Sequence, residues 1–323
     1  MKWRPDWFVI GMGVAIVLAW IAPEAGASGG WLHADLLNKF GVALVFFLSG
    51  LSLSFADLKQ GTLRWPLHLV VQVSVFLVFP LVGIGALWLV GDALPHALSA
   101  GFYFLCVLPS TVSSSVALTA AARGNVPAAV FNATMSSLLG VFITPLWVSW
   151  RLESSGQAMP LGDVILDLVL WLLVPLALGQ GSRLFLREWA LRNRGWLKYV
   201  DRVTILVIIY TSFCDSVAGG VWRDQRAVDL IAVVVGSLVL FVVLMLIVRA
   251  ACRALQFNAA DRIAAMFCGS KKSIAQGVPM ARLIFGADPH VALMLVPLIV
   301  YHQLQLILCS VLAERWANRK DET

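Results

Sequence analysis

The stretch Leu230–Val248, LIAVVVGSLVLFVVLMLIV, contains no charged residue and is long enough to cross a bilayer, which takes about 20 residues per helix. Apolar runs of this kind recur along the 323-residue chain. Strands of a membrane barrel would alternate polar and apolar residues over ~10-residue segments, and these runs do not alternate. Composition agrees: 60% of residues are hydrophobic and 13% charged, against about 25% charged in a soluble domain. The chain reads as an all-α polytopic membrane protein.

The loops that punctuate the runs define ten expected transmembrane helices: 7–22, 34–55, 66–91, 99–121, 126–150, 161–185, 197–219, 227–250, 259–284 and 289–313. The first could be a signal peptide, because a basic MKWRP precedes the apolar run and AGA follows it. Its length and the many spans after it favour an uncleaved helix. With both termini on one side, the loops on that side hold seventeen Lys and Arg: 2, 4, 59, 64, 123, 183, 187, 192, 194, 198, 202, 249, 253, 262, 315, 319 and 320. The other side holds four, Arg151, Arg223, Arg226 and Arg282. The positive-inside rule therefore expects both termini in the cytoplasm, of the bacterial inner membrane if the source is bacterial. The net charge of +6 is explained by this loop placement, so no nucleic-acid partner is expected.

The remaining lysines lie within spans. Lys39 sits near a helix end and can snorkel. Lys271 and Lys272 lie about ten residues into the ninth span, near the bilayer midplane, where a lysine costs about 2.5–3.5 kcal/mol by insertion scales. Adjacent helical residues point about 100° apart, so one partner cannot satisfy both. An unwound stretch or a hydrated cavity is the cheaper solution, although one lysine could form an ion pair, for instance with Asp215.

The short loop near 151–160 divides the chain into residues 1–155 and 156–323, each with five spans. An odd number per half implies two inverted repeats, a common transporter plan. The fourth span of each half carries a polar interruption: Pro109-Ser-Thr-Val-Ser-Ser-Ser115 in the first and Gly269-Ser-Lys-Lys-Ser273 in the second. Interrupted helices at corresponding places point to a binding site, because freed backbone groups and half-helix ends can hold ions or polar solutes. The plainer reading is small-residue packing between helices. The expected solute- or ion-binding residues are Gln72, Ser113, Ser114, Ser115, Asn132, Ser270, Lys271, Lys272, Ser273, Gln276 and His302.

Five cysteines (106, 214, 252, 268 and 309) form no CxxC or Cys/His cluster, so neither a metal site nor a disulfide framework is indicated. GSKKS lacks the Gly-Lys-Ser order and the preceding strand of a phosphate-binding loop. No nucleophile motif supports a hydrolase pairing Ser114 with His302. A transporter rather than an enzyme is expected, without a cofactor, and with sodium or a proton as the candidate coupling ion. The sequence fixes no oligomeric state.

Three segments carry a resemblance: Gln72 in VVQVSVFLVFPL, the run CVLPSTVSSSVALTAAARGNVPAAVFNATMSSLLGVFITPLW, and CGSKKSIAQGVPM. Together with the ten-span layout they resemble the bile acid:sodium symporter superfamily (solute carrier family ten), nearest the member-seven-like branch with its bacterial relatives. The resemblance implies a panel domain of spans 1, 2, 6 and 7 and a core domain of spans 3–5 and 8–10. Helices four and nine would be broken and would cross in the core. It also implies alternating-access transport of an organic anion, bile-acid-like, sulfated or carboxylated, with sodium symport.

The cation site is where this sequence departs from that pattern. Aligned to the family break, Phe267 falls at a usual acid, Lys271 at a Gln and Lys272 at an Asn. Ser114 and Ser115 stand where a Ser-Asn pair is usual, and Ala129 and Ala133 where hydroxyls are common. Gln72, Ser114 and Ser115 would be the remnant of a sodium site. Two ammonium groups without the carboxylate disfavour a metal cation there. One lysine is therefore expected in the former cation site, with the hydroxyls and Gln72 as its ligands. The other would attract the anionic solute or change protonation during transport. The alternatives are a proton-coupled or uncoupled carrier, and a non-transporting membrane regulator or scaffold.

Overall fold

The computed structural model describes residues 7–52, 64–154, 166, 169–223, 225–286 and 288–318. Lys2, Arg4, Lys59, Arg319, Lys320 and the divide at 155–156 between the expected repeats lie outside the described residues. Among the described residues every regular element is a helix. In chain order they are α1 (Trp7–Ile21), α2 (Pro23–Gly26), α3 (Ala34–Ser52), α4 (Trp65–Val90), α5 (His96–Val107), α6 (Ser113–Ala121) and α7 (Val126–Ser154). They continue as α8 (Val169–Arg192), α9 (Arg194–Ala218), α10 (Ala227–Ala254), α11 (Ala259–Gly269), α12 (Ile274–Phe285) and α13 (Val291–Ala317). Six of these, α3, α4, α7, α8, α10 and α13, are long and apolar enough to cross a membrane. The 28 residues of α10 rise about 42 Å, more than the ~30 Å hydrocarbon core. The protein is an integral, multi-pass membrane protein.

The chain forms two compact units. One comprises Met1–Leu53, Ser149–Arg226 and Ala275–Leu295. In it α9 packs against α1, α2 and α3, and α3 packs along α8. The α3–α8 approach depends on two glycines, since a Cβ at Gly50 would strike the Leu176 carbonyl and one at Gly179 the Phe47 carbonyl. Small residues that let backbones meet are how helices associate where lipid supplies no hydrophobic drive. Arg282, counted with the outer-side charges near the end of the expected span 259–284, is helical and 6% exposed. It pairs with Asp215 of α9, which also accepts a hydrogen bond from the Ser28 amide at 2.5 Å. Asp215 is therefore the partner of an arginine and not of a lysine, because its carboxylate lies within the reach of the α12 guanidinium.

The second unit comprises Ser54–Val148, Ala227–Ile274 and Val296–Thr323. Its centre is α11, packed on α4, α6 and α10. Tyr301 of α13, fully buried, meets Phe79 and Phe241 edge-on at 6.0 and 6.1 Å between ring centres. Helix starts follow the sequence. Asn258 caps α11 by accepting from the Asp261 amide at 2.8 Å, and Asn125 caps α7 by accepting from the Ala128 amide at 3.0 Å. Asn125 also donates to Asp261 at 2.7 Å, which ties the turn before α7 to the start of α11. Arg123 in that turn takes a left-handed φ of 54°.

Candidate functional site

Both expected interruptions are present as breaks in helical structure. The first is Leu108–Val112 between α5 and α6, and the second is Ser270–Ser273 between α11 and α12. The first break ends before the three serines, so Ser113, Ser114 and Ser115 form the opening turn of α6. Pro109 accounts for its position, since it has no amide to continue α5.

The two breaks bind each other. The Ser273 amide donates to the Pro109 carbonyl at 2.9 Å, and the Ser110 hydroxyl donates to the Cys268 carbonyl at 2.6 Å. The Ser115 hydroxyl donates to the Phe267 carbonyl at 3.2 Å. Two residues of α13 complete the arrangement. Gln305 accepts from the Lys272 amide and donates to the Lys272 carbonyl, both at 2.9 Å, so one side chain satisfies both main-chain polar groups of that residue. The Tyr301 hydroxyl donates to the Ser270 carbonyl at 2.7 Å.

The Lys272 side chain is fully buried. Its ammonium donates to the carbonyls of Val75, Cys106 and Leu108 at 2.9, 2.7 and 2.7 Å, and lies 4.0 Å from the Phe79 ring centre. An ammonium has three donors, and here each finds an oxygen. The local sequence explains why these oxygens are available. Around Ser74–Val78 the helix α4 widens to π geometry, and the Phe79 amide bonds the Ser74 carbonyl instead of that of Val75. The next residue, Pro80, has no amide to offer, so the Val75 carbonyl keeps its lone pairs for Lys272. The Cys106 carbonyl would pair with the Ser110 amide in a continuing helix. That amide is drawn off to the Ser136 hydroxyl at 2.9 Å. Leu108 lies in the break, and the C-terminal end of α5 adds its partial negative charge. The result is a ring of carbonyl oxygens, the ligand type that a hard cation takes, filled by a covalently attached cation.

Lys271 has a different environment. It too is fully buried, yet its ammonium has no hydrogen-bond partner among the described residues. It lies 6.0 Å from the centre of the Phe267 ring.

None of the expected ligands bonds a lysine, although Gln72 Oε1 has no hydrogen-bond partner among the described residues. Gln72 donates to the Asn132 carbonyl and side-chain oxygen at 3.1 and 3.3 Å, and Asn132 in turn meets His68 Nδ1 at 3.0 Å. Ser114 donates to the Thr111 hydroxyl at 2.9 Å, and Thr111 meets Ser115 at 2.8 Å. Thus Lys272 bonds main-chain oxygens freed by Pro80 and the first break rather than Gln72, Ser114 or Ser115, and Lys271 bonds none of these residues. Ser113 is exposed, and Ser270 turns back to the Met266 carbonyl at 2.6 Å. Ser273 and Gln276 are buried at the start of α12, and His302 meets Gln305 at 2.9 Å. Gln305, Ser110, Ser136 and Tyr301 were not singled out in the sequence. The i, i+3 pair His302 and Gln305 was a usable signal for the first of them, since both side chains fall on one helix face.

Comparison with known proteins shows the family. Residues 6–318 match the model of the SBF-like CPA transporter family. The chain belongs to that family. It is 37% identical to the putative symporter YfeH of Escherichia coli, over 98% of this chain and 94% of that protein. It is 34% identical to sodium/bile acid cotransporter 7 of Danio rerio, over 99% and 97% of the two chains, and 34% identical to the same-named protein of Mus musculus, over 96% and 92%. The resemblance to the bile acid:sodium symporter superfamily is thereby shown along the whole chain, and with it a transporter rather than an enzyme.

Proposed function

We propose that the protein is a secondary transporter of an organic anion, bile-acid-like, sulfated or carboxylated, in which the Lys272 ammonium stands in for a coupling cation. The observation that carries this reading is the ring of three carbonyls around that ammonium at 2.7–2.9 Å. A second cation at the same point would meet a unit positive charge, so sodium is not required there. Lys271 supplies the charge that attracts the anion, since its ammonium lacks a hydrogen-bond partner among the described residues. The class of solute comes from the names of the cotransporter relatives and from this positive charge.

Ten spans, two inverted repeats meeting near residue 155 and alternating access complete the proposal. The matched breaks at Leu108–Val112 and Ser270–Ser273 support the repeat. The grouping of Ser54–Val148 with Ala227–Ile274 and Val296–Thr323 supports a core domain of spans 3–5, 8, the first part of 9 and most of 10, while Ala275–Leu295 falls in the other unit. Both termini are assigned to the cytoplasm on the loop charges.

Uptake of labelled sulfated and carboxylated solutes into proteoliposomes tests this. Saturable uptake that persists with choline in place of sodium, and that falls at least tenfold in Lys271→Gln, is expected. Uptake that vanishes without sodium, or the lack of any anion uptake, contradicts the proposal.

A further inference from the structure

The hairpin formed by the end of α8 and the start of α9 carries an unusual surface. Between Leu184 and Arg202 there are five basic residues, Arg187, Arg192, Arg194, Lys198 and Arg202, against two acidic ones, Glu188 and Asp201. Arg194, Lys198 and Arg202 recur every fourth residue, so they stack along one face of α9, where their like charges repel. Glu188 offsets Arg192 at 3.7 Å, with both side chains more than 80% exposed. Arg194 and Lys198 form no ion pair among the described residues, and the segment Leu184–Arg202 carries a formal net charge of +3 from five basic and two acidic residues.

Apolar side chains set the depth of this surface. Leu184 and Phe185 are 83% and 88% exposed, values that an aqueous surface would penalise and an acyl environment would not. Arg192 lies seven residues further along the helix, about 10 Å of rise from Phe185. Trp196 and Tyr199 are exposed and stack on each other at 5.7 Å, and Trp7 lies 5.3 Å from Tyr199. Arg202 is placed over the rings of Trp7 and Phe8 at 5.7 and 5.4 Å. Aromatic rings that mark the interface, with basic side chains just beyond them, are what an anionic headgroup meets.

We propose that this hairpin is a binding site for an anionic phospholipid, whose phosphate is held by Arg192, Arg194 and Lys198 while its acyl chains lie against Leu184 and Phe185. The ligand is the intact lipid, because the apolar part of the surface has no use for free phosphate. The site is distinct from the lysine site in the helix breaks and stands whether or not the transport proposal holds.

Thermal unfolding of the full chain in detergent tests it, with phosphatidylglycerol, phosphatidylcholine or inorganic phosphate added. Phosphatidylglycerol is expected to raise the midpoint by about 3 °C or more, and the other two by less than about 1 °C. The triple variant Arg192→Gln, Arg194→Gln, Lys198→Gln is expected to lose that shift, while Arg192→Lys with Arg194→Lys keeps it. Native mass spectrometry, counting phosphatidylglycerol retained per chain, gives a readout independent of stability if the triple variant folds poorly. An equal response to phosphatidylcholine or phosphate, or full retention of lipid by the triple variant, overturns the proposal.

Discussion

The Lys272 ammonium meets the Val75 carbonyl at 2.9 Å, and the proline at position 80 is the reason that carbonyl is free. A π-turn passes the Phe79 amide to Ser74, Pro80 offers no amide, and a cation from the second break takes the vacant acceptor. The same logic frees the Cys106 carbonyl through Ser110 and Ser136. A lysine that looks costly in the sequence is thus held by charge-assisted bonds, each worth about 1.5–3 kcal/mol.

The two lysines should respond oppositely to neutral replacement. Lys272→Met strips three buried carbonyls of their donor and should destabilise the protein by about 3–5 kcal/mol. Lys271→Met removes a buried charge that has no hydrogen-bond partner among the described residues, and should be neutral or stabilising by ~1 kcal/mol. Denaturation midpoints of the two variants check this, and equal losses would count against the assigned roles.

Gln305→Ala should destabilise by about 2 kcal/mol, because it orphans both the amide and the carbonyl of Lys272. Gln303→Ala, two residues away on a different helix face, should cost less than ~1 kcal/mol. Thermal unfolding of the purified variants separates the two.

Arg282→Met leaves the Asp215 carboxylate without its ion-pair partner in a buried site and should cost about 3–5 kcal/mol. Adding Asp215→Asn should recover most of that loss. A double variant as unstable as the single one would show that the pair is not what matters at this position.

The sequence makes the class of fold and the location of the breaks legible, for simple reasons. Apolar length identifies a membrane helix, and Pro109 and Gly269-Ser270 mark where helix geometry fails. The conflict of two adjacent lysines in an apolar run likewise implies an unwound stretch, which is what Ser270–Ser273 adopt. The ligands of Lys272 were not legible, because backbone carbonyls carry no sequence label. Side-chain oxygens at Gln72, Ser114 and Ser115 drew attention, whereas Pro80 and Ser136, which act by withholding or diverting an amide, did not. Arg282 was misplaced for a related reason. Its charge near a span end suggested an exposed side chain, whereas it is buried against Asp215, 67 residues away in sequence.

The central claim is that a lysine replaces a coupling cation, and sodium titration of thermal stability tests it most directly. The wild-type protein should unfold at the same temperature in sodium chloride and choline chloride at equal ionic strength. Lys272→Ala, which empties the carbonyl ring, should be restored by sodium but not by choline, by about 2 °C or more. Selective stabilisation of the wild type by sodium, with no sodium response in Lys272→Ala, would contradict the account.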